Sequence, residues 1–194
     1  MNIPTEKHPL EPFLPQRARI LMLGSFPPPK TRWSMEFFYP NWQNDMWRIC
    51  GFIFHNDRHF FETKGDKRFC KESIVEFCNR VGIALYDTAC EVRRLKGNAS
   101  DKFLEVVTTT DIPALLEQIP HCTAIVTTGE KATDVITETF ACEKPKVGNM
   151  TTITINGREL HFWRMPSSSR AYPIAIDKKA ESYAKMLKHE EILP

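Results

Sequence analysis

Residues 24–29 read GSFPPP and follow an apolar run; one glycine among prolines fixes neighbouring main-chain amides and carbonyls in place. A Walker-type phosphate cradle needs several glycines and a lysine followed by Ser or Thr, so nucleoside triphosphate hydrolysis does not fit. Rigid amides suit recognition of a flat polar group. A stiff strand-to-helix connection would use the same residues. Residues 36–47 then read EFFYPNWQNDMW. Any of Phe37, Phe38, Tyr39 and Trp42 that faces outward can stack on a planar ligand, at about 1–3 kcal/mol per base, whereas inward-facing rings are core. The amide of Asn44 serves either chemistry or the N-cap of the helix that begins beside it.

A third polar stretch, RMPSSSRAYP at 164–173, carries hydroxyls at Ser167, Ser168 and Ser169, the permanently charged Arg170 and the ring of Tyr172. Hydroxyls, loop amides and arginine are ordinary phosphate contacts; a serine-rich surface turn has the same composition. No GxSxG is present, so no nucleophile elbow is expected. In LYDTACEVRRLKGNASD, at 85–101, Asp87 follows a strand end, and Arg93, Arg94 and Lys96 suit either phosphate contact or a solvated charged turn. His161 alternates with Leu160 and Phe162 and is read as a solvent-facing strand residue. Cys50, Cys70, Cys78, Cys90, Cys122 and Cys142 form no CxxC pair and no His/Cys ligand spacing, which argues for buried reduced thiols and against a zinc or iron–sulfur site.

Positioning these loops requires a scaffold, and the apolar pattern supplies one. Strands are expected at 19–23, 83–86 and 124–126, and a hairpin at 151–155 and 158–163 joined through Asn156-Gly157. Helices are expected at 44–54, 69–80, 112–119 with Asp111 as cap, 131–140 and 178–190. Residues 1–18, punctuated by Pro4, Pro9, Pro12 and Pro15, should lie extended over the surface. Strands separated by helices imply a parallel sheet covered on both faces, with ligands bound at the carboxyl ends of its strands. The polar loops after Leu23, Val126 and Trp163 therefore converge.

The 194 residues fit one domain, with 42% hydrophobic and 26% charged residues, ordinary globular values without repeats or low-complexity tracts. A net charge of +2 permits an anionic partner without demanding one. No apolar run approaches the roughly 18 residues that span a bilayer, and the amino terminus lacks an apolar signal core. These features predict a cytoplasmic protein with no membrane partner; no obligate protein partner is evident.

From about Ile20 to Leu187 the sequence resembles the uracil-DNA glycosylase superfamily, most closely its mismatch-specific and deoxyinosine (hypoxanthine) branches. The matching residues are Gly24-Ser25-Phe26-Pro27, Tyr39, Asn44-Asp45-Met46-Trp47, Thr128-Gly129-Glu130-Lys131-Ala132 and the 165–171 segment MPSSSRA. The resemblance implies a three-layer α/β/α sandwich around a four-stranded parallel sheet. It implies extrusion of a damaged base (uracil, hypoxanthine or xanthine) from DNA and metal-free hydrolysis of its N-glycosidic bond, without a cofactor. Gly24, Phe26, Pro27, Tyr39 and Thr128 would contact the base, and Ser167, Ser168, Ser169, Arg170 and Lys131 the DNA, with 168–172 in the place of the wedge loop. Asn44 and Ser25 would carry the catalysis. Phe26 stands where the uracil and mismatch branches place a water-orienting Asn, and Met165 replaces the polar residue of the last motif. The alternative these departures favour is a nucleic-acid-binding protein that kept the pocket and lost turnover.

Overall fold

Short strands that are buried along their whole length must be covered on both faces, and two segments, Ile20–Gly24 and Ile83–Asp87, meet that condition at every residue. The computed structural model describes residues 3–96 and 101–193. In chain order its elements are β1 (Glu6–Lys7), β2 (Ile20–Gly24), α1 (Met46–His55), α2 (Lys71–Val81), β3 (Ile83–Asp87), β4 (Ala89–Arg94), β5 (Leu104–Thr109), α3 (Ile112–Gln118), β6 (Ala124–Thr128), α4 (Glu130–Phe140), β7 (Asn149–Ile155), β8 (Arg158–Met165) and α5 (Ile176–His189).

The main sheet runs β3-β2-β6-β8-β7. Its first four strands are parallel, and β7 is antiparallel to β8. The four-stranded parallel sheet expected from the resemblance is thus corrected to a five-stranded mixed sheet. The cause is the turn at Asn156 and Gly157, whose φ values of 49° and 74° give the left-handed pair that folds a hairpin tightly. β2 lies between β3 and β6, and the chain steps outward from β2 to β3 and then back past β2 to β6. Right-handed crossovers therefore distribute α1 and α2 to one face and α3 and α4 to the other. α5 packs against α1.

The main core is an apolar cluster that includes Leu21, Leu23, Trp47, Phe61, Phe77, Leu85, Ile125, Phe162 and Tyr183. Asp111 caps α3 as expected, accepting from the Ala114 amide at 3.0 Å. Among the described residues, no helix is long and apolar enough to cross a membrane.

A second, three-stranded antiparallel sheet, β1-β4-β5, was not expected. The amino-terminal segment is extended, but it is stitched down rather than lying loosely on the surface. Glu6 and Lys7 pair with Val92 and Glu91. Phe13 exchanges main-chain hydrogen bonds of 2.9 and 3.0 Å with Leu85, closing the outer edge of β3. The 97–100 part of the charged turn lies outside the described residues.

Candidate functional site

The parallel register sets the carboxyl ends of adjacent strands side by side. Gly24 is opposite Asp87, Leu23 opposite Thr127, and Thr128 opposite Met165. The loops that follow these ends surround a cavity of about 640 Å³. It sits beside β2, where the chain reverses direction along the sheet, the usual ligand crevice of an open α/β sheet. Gly24, Ser25, Phe26, Pro27, Tyr39, Asn44, Thr128, Ser167, Ser168, Ser169 and Arg170 all line it. Of the site residues that the resemblance implies, Lys131 alone is not among its lining residues.

The rings divide by what they touch. Phe37 is packed edge-on against Phe13 and stacked near Trp47, and Trp42 lies under the Arg48 guanidinium at 4.3 Å. Phe38 and Tyr39 face the cavity. The Trp47 indole N–H donates to the Phe38 carbonyl at 3.0 Å, pinning the loop to α1. Tyr39 has φ 50°, a left-handed conformation that a non-glycine residue adopts only when its surroundings enforce it. The Thr128 hydroxyl donates to the Leu23 carbonyl, so the Tyr39 hydroxyl, 3.0 Å from Thr128 Oγ1, is the donor of that pair. Burial pushes the phenol well above its ordinary value and keeps it neutral.

Asn44 does what a cap residue does and also lines the cavity. Its Oδ1 accepts from the Met46 amide at 2.9 Å, while its Nδ2 has no hydrogen-bond partner among the described residues. The main-chain N–H groups of Ser25 and Phe26 are likewise uncommitted there. The Ser25 hydroxyl donates to Asp101 Oδ1 at 2.9 Å. Burial pushes the Asp101 carboxyl above its ordinary value; the Ser25 hydrogen bond opposes this and the neighbouring Asp87 reinforces it. The Phe26 ring packs edge-on to His8 and joins Ala89, Val92 and Leu104 in a small apolar cluster under the second sheet.

The serine loop is held from below. Ser168 is buried and its carbonyl accepts from the Asp45 amide at 2.9 Å. Arg170 Nε donates to Asp45 Oδ1 at 2.9 Å, leaving about half of its side chain exposed. The buried Lys179 donates from Nζ to the Ser169 carbonyl at 2.7 Å; burial lowers its pKa, and Asp45 opposes the drop. Arg94, read from sequence as a phosphate contact or a solvated charge, is mostly buried and donates to the Pro27 carbonyl and to Glu6. Its role is to clamp the proline loop. Arg93 pairs with Glu105 at the surface, and Lys96 lies over the Phe103 ring.

Sequence reasoning singled out Asp87 at a strand end without placing it on the floor of the cavity, and it missed His8. Asp87 lies there with Oδ2 accepting from His8 Nε2 at 2.8 Å, and His8 Nδ1 is 2.8 Å from the Leu10 carbonyl oxygen. The His8 side chain is 2% exposed. A Cβ on Gly24 would stand 2.3 Å from Asp87 Oδ1, so only glycine leaves room for that oxygen. Among the described residues, the one group of His, Cys, Asp and Glu with spacing suited to a metal is His161, His189 and Glu190, with donor atoms within 4.8 Å of one another. It lies at the opposite end of the parallel strands, where His161 pairs with Ala124.

The layered fold, with its cavity at the carboxyl ends of the parallel strands, has a solved counterpart. The chain is similar in structure to a candidate uracil DNA glycosylase from Methanosarcina acetivorans solved by solution NMR, with TM-score 0.63 and 19% identity over 93% of this chain and 97% of that one. At that identity the likeness shows the fold. No protein-family model and no curated protein sequence matches the chain.

Proposed function

We propose that the protein is a metal-independent, monofunctional DNA glycosylase that everts a deaminated base and hydrolyses its N-glycosidic bond, in the manner of the deoxyinosine branch of the superfamily. The observation that carries this reading is the convergence of Tyr39, Asn44, Thr128 and the serine loop on one cavity. Eversion costs a few kcal/mol of unstacking, and a rigid ring face recovers part of it. Tyr39 provides that face. The loop of Ser167, Ser168, Ser169 and Arg170 binds phosphate, and its tip fills the gap left in the duplex.

Bond cleavage develops positive charge on the sugar and negative charge on the departing base. The uncommitted amides of Ser25 and Phe26 are placed to stabilise the latter, since they are oriented before the charge appears. Asn44, with Nδ2 open to the cavity, orients the attacking water. Phe26 favours a second reading, a binding protein without turnover, because a phenyl ring cannot hold that water. Incubating duplexes that carry uracil, hypoxanthine or xanthine and separating free base by chromatography tests both. Release of at least one of these bases supports the glycosylase; binding of the duplexes without release at stoichiometric protein supports the second reading.

A further inference from the structure

We infer that His161, His189 and Glu190 bind one zinc ion that fastens the end of α5 to β8, far from the cavity and whatever the cavity does. The Glu190 side chain is 2% exposed, yet among the described residues no lysine or arginine pairs with its carboxylate. Oε1 lies 2.7 Å from the Trp163 indole nitrogen, 2.8 Å from His161 Nδ1 and 3.2 Å from His189 Nδ1, and Oε2 accepts from the Thr123 hydroxyl at 3.3 Å. A carboxylate taken out of water calls for a cation. Arg19 does not supply it: its guanidinium donates to the Glu190 main-chain carbonyl at 3.3 Å and pairs with Glu191 at 3.7 Å. Both imidazoles are partly exposed, so an ion can reach the group from solvent.

The spacing fits that ion. Tetrahedral zinc holds imidazole nitrogen and carboxylate oxygen at about 2.0–2.2 Å, which sets the ligand atoms about 3.3 Å apart. The two Nδ1–Oε1 separations are 2.8 and 3.2 Å, and one donor atom from each of the three residues lies within 4.8 Å of the others. Without metal, a ring N–H is shared with Oε1. On binding, each neutral ring carries its hydrogen on Nε2 and turns the Nδ1 lone pair to the ion, so no proton is left over. Water takes the fourth position. Trp163 and Thr123 then hold the ligating carboxylate from behind, the outer hydrogen bonds that orient a metal ligand. His161 belongs to β8 and His189 ends α5, so the ion cross-links two elements. The same helix carries Lys179, which supports the Ser169 carbonyl.

The test uses the full chain without an affinity tag, reduced and stripped of metal by a chelator, and titrates cobalt(II) as a coloured substitute for zinc. A visible d–d band should saturate at one equivalent and be bleached by zinc. Zinc at roughly a hundredfold excess over its dissociation constant should raise the melting temperature by about 5–10 °C. His161→Gln and His189→Gln keep an amide donor for Glu190 and lose the imidazole; each should lose both the band and the zinc-induced rise. Where a variant does not fold, wild-type imidazole NMR signals give the same reading: those of His161 and His189 should move on zinc addition while the other four histidines stay. No band in the wild type, a band that survives in both variants, or movement of other histidines instead overturns the inference. So does near-ultraviolet thiolate-to-cobalt absorption, which would place the ion on cysteine.

Discussion

Two cavity residues are constrained locally, Tyr39 by its left-handed backbone and Gly24 by the Asp87 oxygen that stands where a Cβ would be. The left-handed backbone of Tyr39 costs about 1–3 kcal/mol, and the Thr128 hydrogen bond holds the ring in place. Tyr39→Ala should therefore weaken binding of a lesion duplex by about 1–3 kcal/mol, roughly ten- to hundredfold. Tyr39→Phe should cost less, because the stacking face survives and only the hydroxyl pair is lost. Titration of both variants against one labelled duplex checks the order. At Gly24, alanine would drive Asp87 Oδ1 out of its position. Base release should fall while the melting temperature moves little, since the clash can be relieved by rotating a carboxylate that faces a cavity. Equal activity of wild type and Gly24→Ala would remove the Asp87 floor from the mechanism.

Between elements, the contacts that fix the loops run through buried polar groups. Lys179 reaches from α5 to the Ser169 carbonyl, and Asp45 at the start of α1 holds Arg170. Lys179→Met keeps the stem but strands that carbonyl, so unfolding free energy should drop by about 1–3 kcal/mol. The DNA dissociation constant should rise because the serine loop loses its underside. Denaturant unfolding paired with DNA titration reads both effects. These links also show what was legible in the sequence. The apolar runs at 19–23, 83–86 and 124–126 and the Asn156-Gly157 turn place the main sheet, because each is a local pattern. Convergence of Tyr39, Asn44, Thr128 and the serines follows from loops at the carboxyl ends of parallel strands. The β1-β4-β5 sheet was illegible: register shifts between Ala89, Glu91 and Val92 break the alternation that marks a strand. Asp87 stood in plain view at a strand end, but its partner His8 comes from a proline-rich segment that reads as a loose strap. Arg94 was misjudged for the same reason. Whether a charged side chain is solvated or buried against a carbonyl depends on contacts far along the chain.

Across the whole molecule, the candidate site and the structural fastening of α5 lie at opposite ends of the parallel strands. At the end away from the cavity, Glu190 is buried and its Oε1 accepts from the Trp163 indole at 2.7 Å and from His161 at 2.8 Å, tying the end of α5 to β8. Burial alone would raise the Glu190 pKa, but these hydrogen bonds outweigh it and hold the carboxyl below its ordinary value. A depressed folded-state pKa stabilises the native state fully above the unfolded carboxyl's value, and that contribution is lost as pH falls through the lowered one. Melting curves should show Glu190→Gln less stable than wild type near neutrality and the two proteins converging on acidification below the ordinary carboxylate range. Parallel curves would mean that the carboxylate does not fasten the helix.

The central claim, that a rigid cavity at the carboxyl edge grips an everted base with Asn44 beside the sugar carbon, is tested most directly by single-turnover abasic-site formation. End-labelled duplexes carrying hypoxanthine, uracil or xanthine are mixed with excess wild-type or Asn44→Ala protein and then cleaved with alkali. Strand breaks at a lesion with wild type, slowed at least about a hundredfold in Asn44→Ala while duplex affinity persists, are the predicted result. No breaks at any of the three lesions, or equal rates for the two proteins, would contradict it.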